Sequence, residues 1–135
     1  MIVLDASVTV AWLLNEPGAP ALELNAALAI HQAIVPAHWP TEVGNALLTA
    51  FRHKRIDMAG IARLSNDIQD LDIRIDPPRQ AHHLTELIAF AEAYGLTTYD
   101  AAYVTLALET GAALASLDKA MRRVAIRLDI DILPA

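Results

Sequence analysis

Short apolar runs recur along this chain with a helix-patterned segment between most of them, and that alternation limits what it can fold into. Ile2-Val3-Leu4 is stopped by Asp5, after which Val10, Leu13 and Leu14 recur at helical spacing. Pro17-Gly18 and Pro20 punctuate a turn, the alanine- and leucine-rich residues 21–30 favour a second helix, and Ala33-Ile34-Val35 is a second strand ended by Pro36. Between residues 41 and 51, Val43, Leu47, Leu48 and Phe51 make an apolar stripe, and Arg52, His53, Lys54 and Arg55 follow near the helix end, where cations are favoured. Residues 58–71 read as another helix. Ile73 and Ile75 alternate with Arg74 and Asp76 like a half-exposed strand closed by Pro77-Pro78, and helix resumes over 79–94 until Gly95. Thr97-Thr98-Tyr99 reads as a connector, 100–110 as a helix ended by Gly111, 112–115 as a buried strand, 119–128 as a helix and 130–133 as a last strand.

Parallel strands need crossover connections, usually helices, so the alternation predicts an α/β fold, a three-layer α/β/α sandwich around a mainly parallel sheet of about five strands. The 135 residues suit one domain, 1–135, with no repeat or linker at which to divide it. Without cysteine there is no disulfide, thiolate metal site or thiol nucleophile, which fits a reducing cytoplasm and leaves hard-metal or metal-free chemistry. The start of the sequence lacks a basic leader, and the apolar stretch 8–14 is too short to span a bilayer, so the expectation is a cytoplasmic protein with no membrane contact. A net charge of -6 argues against holding nucleic acid through a large basic face. At 55% hydrophobic, the chain is apolar enough to reserve some surface for a partner.

Four acids fall at corresponding corners of this pattern. Asp5 follows the first strand, Asp118 follows the strand at 112–115, and Glu42 and Asp100 each begin a helix. In open α/β sheets ligands bind beyond the carboxyl ends of the strands, at a topological switch point, where acids far apart in sequence converge. The competing reading is local, because an aspartate at a helix start caps free N–H groups and gains from the helix dipole. Glu42 lies beside the apolar stripe of its helix, with Asn45 nearly one turn on. Gathered carboxylates repel one another unless a cation neutralises them, and oxygen-only donors suit Mg²⁺ or Mn²⁺. Magnesium keeps several waters and takes one or two carboxylates plus substrate phosphate oxygens, which makes phosphodiester hydrolysis the natural chemistry for such a cup.

Four blocks carry a family resemblance: Ile2-Val3-Leu4-Asp5-Ala6-Ser7, Pro40-Thr41-Glu42-Val43-Gly44-Asn45-Ala46-Leu47, Thr97-Thr98-Tyr99-Asp100-Ala101-Ala102-Tyr103-Val104 and Leu114-Ala115-Ser116-Leu117-Asp118. In order and spacing they resemble the conserved blocks of PIN domains, and the size resembles the VapC toxins of VapBC pairs. The resemblance implies a Mg²⁺- or Mn²⁺-dependent endoribonuclease, with Asp5, Glu42, Asp100 and Asp118 as its acids and Ser7, Asn45 and Ser116 as flanking polar positions. The family often has threonine where Ser116 stands, and serine keeps the hydroxyl. On this reading Asp5, Asp100 and Asp118 hold the metal directly or through water, while Glu42 is either a ligand or the group that orients or deprotonates the attacking water. It also implies an RNA substrate, a homodimer, and a VapB-like antitoxin that covers an apolar groove and blocks the acidic cup, with the helices near Trp12 and Trp39 as candidate surfaces.

Two alternatives stand beside it. A haloacid-dehalogenase-like phosphatase is echoed by Asp5-Ala6-Ser7-Val8-Thr9, although Ser7 replaces that signature's second aspartate. A non-catalytic PIN-like or receiver-like binding module is the other. The basic groups Arg52–Arg55 and Lys119, Arg122, Arg123 and Arg127 are either phosphate contacts or solvated helix surface. Trp12 and Trp39 read first as core, and adjacent His82 and His83 face different sides of a helix, unlike a ligand pair. No Gly-rich phosphate loop, zincin helix or nucleophile elbow is present.

Overall fold

Ile2–Leu4 (β1) and Ala33–Val35 (β2) are buried at every position, the pattern of strands covered on both faces. In the computed structural model, which describes residues 1–135, they join β3 (Ile73–Ile75), β4 (Ala113–Ala115) and β5 (Ile132–Leu133) in one sheet ordered β3-β2-β1-β4-β5, with every pairing parallel. Crossovers are supplied by α1 (Ala6–Leu13), α2 (Ala21–Leu28), α3 (Trp39–Arg52), α4 (Met58–Gln69), α5 (Leu84–Tyr94), α6 (Thr98–Thr110) and α7 (Lys119–Arg127). One layer packs α1 on α3, and the other packs α5 and α7 on α6, giving the expected three-layer α/β/α sandwich. The core runs through the sheet centre, where Val3, Leu4, Val35 and Leu114 are sealed from solvent with Val8, Leu24, Tyr103 and Val104 of the helices. No helix is long and apolar enough to cross a membrane.

The strand order fixes where a site can form. The chain lays down β1, β2 and β3 outward on one side, then returns to place β4 against the other side of β1. Neighbouring strands β1 and β4 therefore leave the sheet toward connections on opposite sides, which opens a crevice at their carboxyl ends. Their register pairs Leu4 with Ala115, so the next residues, Asp5 and Ser116, emerge side by side.

Several boundaries differ from the sequence reading. Helix α5 starts at Leu84, because residues 76–80, which include the double proline, run without helix into a single 3₁₀ turn at Ala81–His83. Thr98 and Tyr99 belong to α6 and only Thr97 lies outside it, where its hydroxyl caps the Asp100 N–H at 3.1 Å. The last strand is shorter, Ile132–Leu133, and β3, the outermost strand on its side of the sheet, leaves Ile75 exposed. His82 and His83 do not diverge: the tight turn brings their rings to 4.1 Å. Trp39 is buried in the core and Trp12 packs against it, so neither is an exposed anchor.

Candidate active site

Asp5 is fixed by its place one residue beyond β1. Its N–H donates to the Ala115 carbonyl at 3.0 Å, continuing the β1–β4 ladder, while its carboxylate turns back to cap α1 by accepting from the Ser7 N–H. Oδ2 also accepts from the Ser7 hydroxyl at 2.5 Å and from the Ser116 hydroxyl at 2.9 Å. Ser116 is wholly buried, and its oxygen accepts from the Asp118 N–H at 3.0 Å, so one serine ties the end of β1 to the turn after β4. Asp118 caps α7 through the Met121 N–H at 2.8 Å. The capping reading and the convergence reading are thus both met: two aspartates cap their helices and meet because the strands before them are neighbours.

Glu42 in the first turn of α3 and Asp100 in the first turn of α6 close the group from the two helical layers. Burial is the main cause that lifts the Asp100 pKa, and the charges of Asp118, Asp5 and Glu42 raise it further against a hydrogen bond from Thr97. Asp5, only 3% exposed, is also raised by burial and by Asp118, although both serines favour its charged form. All four acids are brought together. Ser7 and Ser116 join them, whereas Asn45 lies exposed on α3 and hydrogen-bonds none of the four through its side chain.

Two neighbours escaped the sequence reading. The Tyr103 hydroxyl, on a side chain with no exposed surface, donates to Glu42 Oε1 at 3.2 Å. His38 Nε2 lies 2.7 Å from the same oxygen, off the angle of a good hydrogen bond, with its ring edge-on to Tyr103 at 5.1 Å. A tyrosine in the middle of an apolar helix reads as core, and only its partner 61 residues away gives it a polar role. Arg122 reaches the Ser116 and Pro134 carbonyls, Arg55 pairs with Glu16, and Arg127 stacks over Tyr94, so part of the basic surface is structural. A cavity of about 500 Å³ beyond His38, lined by Pro77, Phe90 and Leu106 among others, contains none of the four acids.

No three carboxylates or imidazoles close tightly enough to form a cage for a metal ion. The donors are nevertheless all hard oxygens in an open group of like charge, which fits a hydrated Mg²⁺ or Mn²⁺ that needs only one or two protein ligands.

Two solved structures share the fold. A Pyrobaculum aerophilum protein, PAE2754, superposes with a TM-score of 0.66 at 24% identity, covering 95% of this chain and 88% of its own. FitAcB from Neisseria gonorrhoeae superposes with a TM-score of 0.63 at 17% identity, covering 98% of this chain and 96% of its own. No curated protein matches by sequence. The family model described as PIN domain matches residues 2–127, a span that takes in both central strands and all four acids, and the chain therefore belongs to the PIN domain family.

Proposed function

We propose that this protein is a metal-dependent endoribonuclease, the toxin of a VapBC-like toxin–antitoxin pair acting in the cytoplasm. The observation that carries the nuclease reading is the meeting of Asp5, Glu42, Asp100 and Asp118 at the β1–β4 switch point, with Asp5 and Asp100 held at raised pKa. So much unneutralised carboxylate is costly unless the site exists to receive a cation. Asp5, Asp100 and Asp118 are the residues that would hold Mg²⁺ or Mn²⁺, with Glu42 as a further ligand or as the group that orients the attacking water. When bound, the ion supplies a lower pKa for water and charge neutralisation at the phosphate. Ser7 and Ser116 favour the charged form of Asp5 against its burial and fix its carboxylate by hydrogen bonds, and Glu42 accepts or aligns a water proton.

Family membership supports phosphodiester hydrolysis over the aspartyl-phosphatase alternative, and the four retained acids speak against a silent binding module. The toxin role and the VapB-like antitoxin rest on the family blocks and compact size. Exposed Leu84, Ile88 and Leu108 on α5 and α6 supply apolar surface for that partner or for a homodimer. The test is cleavage of RNA by purified protein with and without Mg²⁺ or Mn²⁺. Cleavage is expected only with the ion, and Asp5→Asn or Asp100→Asn is expected to lower it more than about 100-fold while the fold is kept. Full activity in either variant, or a phospho-aspartate trapped at Asp5, overturns the assignment.

A further inference from the structure

The four acids sit on three different helix starts and one strand exit, so something must set the distance between α3, which carries Glu42, and the rest. Ser116 does this for Asp5 and Asp118, and a single side-chain hydrogen bond joins Glu42 to a segment that carries another acid. Tyr103 makes that bond. It is on α6, three residues after Asp100, its ring is sealed in the core, and its hydroxyl donates to Glu42 Oε1. The same hydroxyl lies near Ala6 and Asp5 at the start of α1. One hydroxyl thus bonds α3 and faces the start of α1 while hanging from α6.

We propose that Tyr103 is a positioning residue: its buried hydroxyl is a strut that holds the Glu42 carboxylate in register with Asp5 and Asp100. Its chemistry suits the task. A phenol donates to Oε1 from a rigid ring, and burial beside Glu42 and Asp5 keeps it protonated. The His38 ring backs the same oxygen and stands edge-on to Tyr103, which leaves Glu42 little freedom to swing outward. The contact to Oε1 leaves Glu42's other oxygen for water or an ion.

This inference rests on the nuclease reading for its catalytic consequence, and two double-mutant cycles separate the two. Tyr103→Phe removes one oxygen and keeps the ring, so the core stays filled. In the first cycle, unfolding equilibria are measured for the wild type, Tyr103→Phe, Glu42→Gln and the double variant. A coupling of about threefold or more in the unfolding constant is expected for a direct bond to a carboxylate. In the second, RNA cleavage is followed: Tyr103→Phe is expected to lower kcat about tenfold or more with KM within twofold, and to add nothing to the loss in Glu42→Gln. Independent, multiplicative effects in the unfolding cycle overturn the strut, whether or not the protein cuts RNA. Coupled unfolding with unchanged kcat in Tyr103→Phe overturns the positioning role. A wild type that cuts no RNA with either ion overturns the nuclease reading and, with it, the catalytic consequence, while the unfolding cycle still decides the strut.

Discussion

Asp5 shows how a single side chain is asked to do opposing things. It caps α1, joins the β1–β4 ladder and receives two serine hydroxyls, yet burial still lifts its pKa above the ordinary 3.8. Asp100 is shifted the same way, by burial and by its acidic neighbours. A raised native pKa means that the folded protein holds these protons more tightly than the unfolded chain does. Their contribution to stability is therefore greatest below 3.8 and is lost as pH rises through the native values. The expected outcome is a metal-free protein whose melting temperature climbs, relative to an Asp5→Asn variant, as pH falls from neutral toward 4. At pH 7 that variant is expected to melt higher than the wild type, since asparagine still caps the helix without the buried charge. Calorimetry across this range checks both, and a flat difference between the two proteins would contradict the linkage. The identities of the four acids were legible in the sequence because acids after strands and at helix starts are conspicuous. Tyr103 was not, because its hydrogen bond to Glu42 joins two helical layers, and His38 was not, because its approach to Glu42 depends on where α3 begins.

At the scale of elements, local chemistry predicted which segments fold and cap residues decided where they begin. Gly95 and Gly111 end α5 and α6 in the left-handed region, at φ +68° and +66°, as the glycine signals implied. Thr97 was read as part of a connector, yet its hydroxyl closes the first turn of α6 and so sets the pitch at which Asp100 leaves that helix. Thr97→Ala is expected to cost about 1 kcal/mol and to lower the melting temperature by roughly 3–5 °C. If the cap also aims Asp100, Thr97→Ser restores both stability and cleavage, whereas Thr97→Ala loses part of each. Gly111→Ala is expected to cost about 1 kcal/mol through φ alone, with its effect confined to stability since the site lies at the other end of α6. Thermal melts and initial cleavage rates on the same samples distinguish the two cases. The late start of α5 was hidden for the converse reason: Leu84, Leu87 and Ile88 keep a helical period, and nothing in that period marks where residues 79–83 stop sharing it.

For the whole molecule, the alternation of runs and helices made the parallel sandwich legible, but not the strand order that places β1 beside β4 and so makes a cup from Asp5 and Asp118. The same order concentrates negative charge at one edge of a chain already at -6, and Arg55, Arg122 and Arg127 are partly spent inside the fold. A nuclease of this kind cannot draw RNA by counterion release as a basic protein does. A protein that neutralises six to ten phosphates of a single strand shows a log–log slope of binding against monovalent salt of about -4 to -7. Here the slope is expected to be shallow, about -2 or less in magnitude, because few lysines and arginines are free to meet phosphates and the cup itself repels them. Adding Mg²⁺ at fixed ionic strength should then strengthen RNA binding in Glu42→Gln, a variant chosen to slow cutting, since the cation is what reconciles an acidic edge with an anionic substrate. Fluorescence anisotropy with a labelled single-stranded RNA measures both quantities. A steep monovalent slope with no response to Mg²⁺ would mean that the RNA is held by the basic helix ends, away from the four acids.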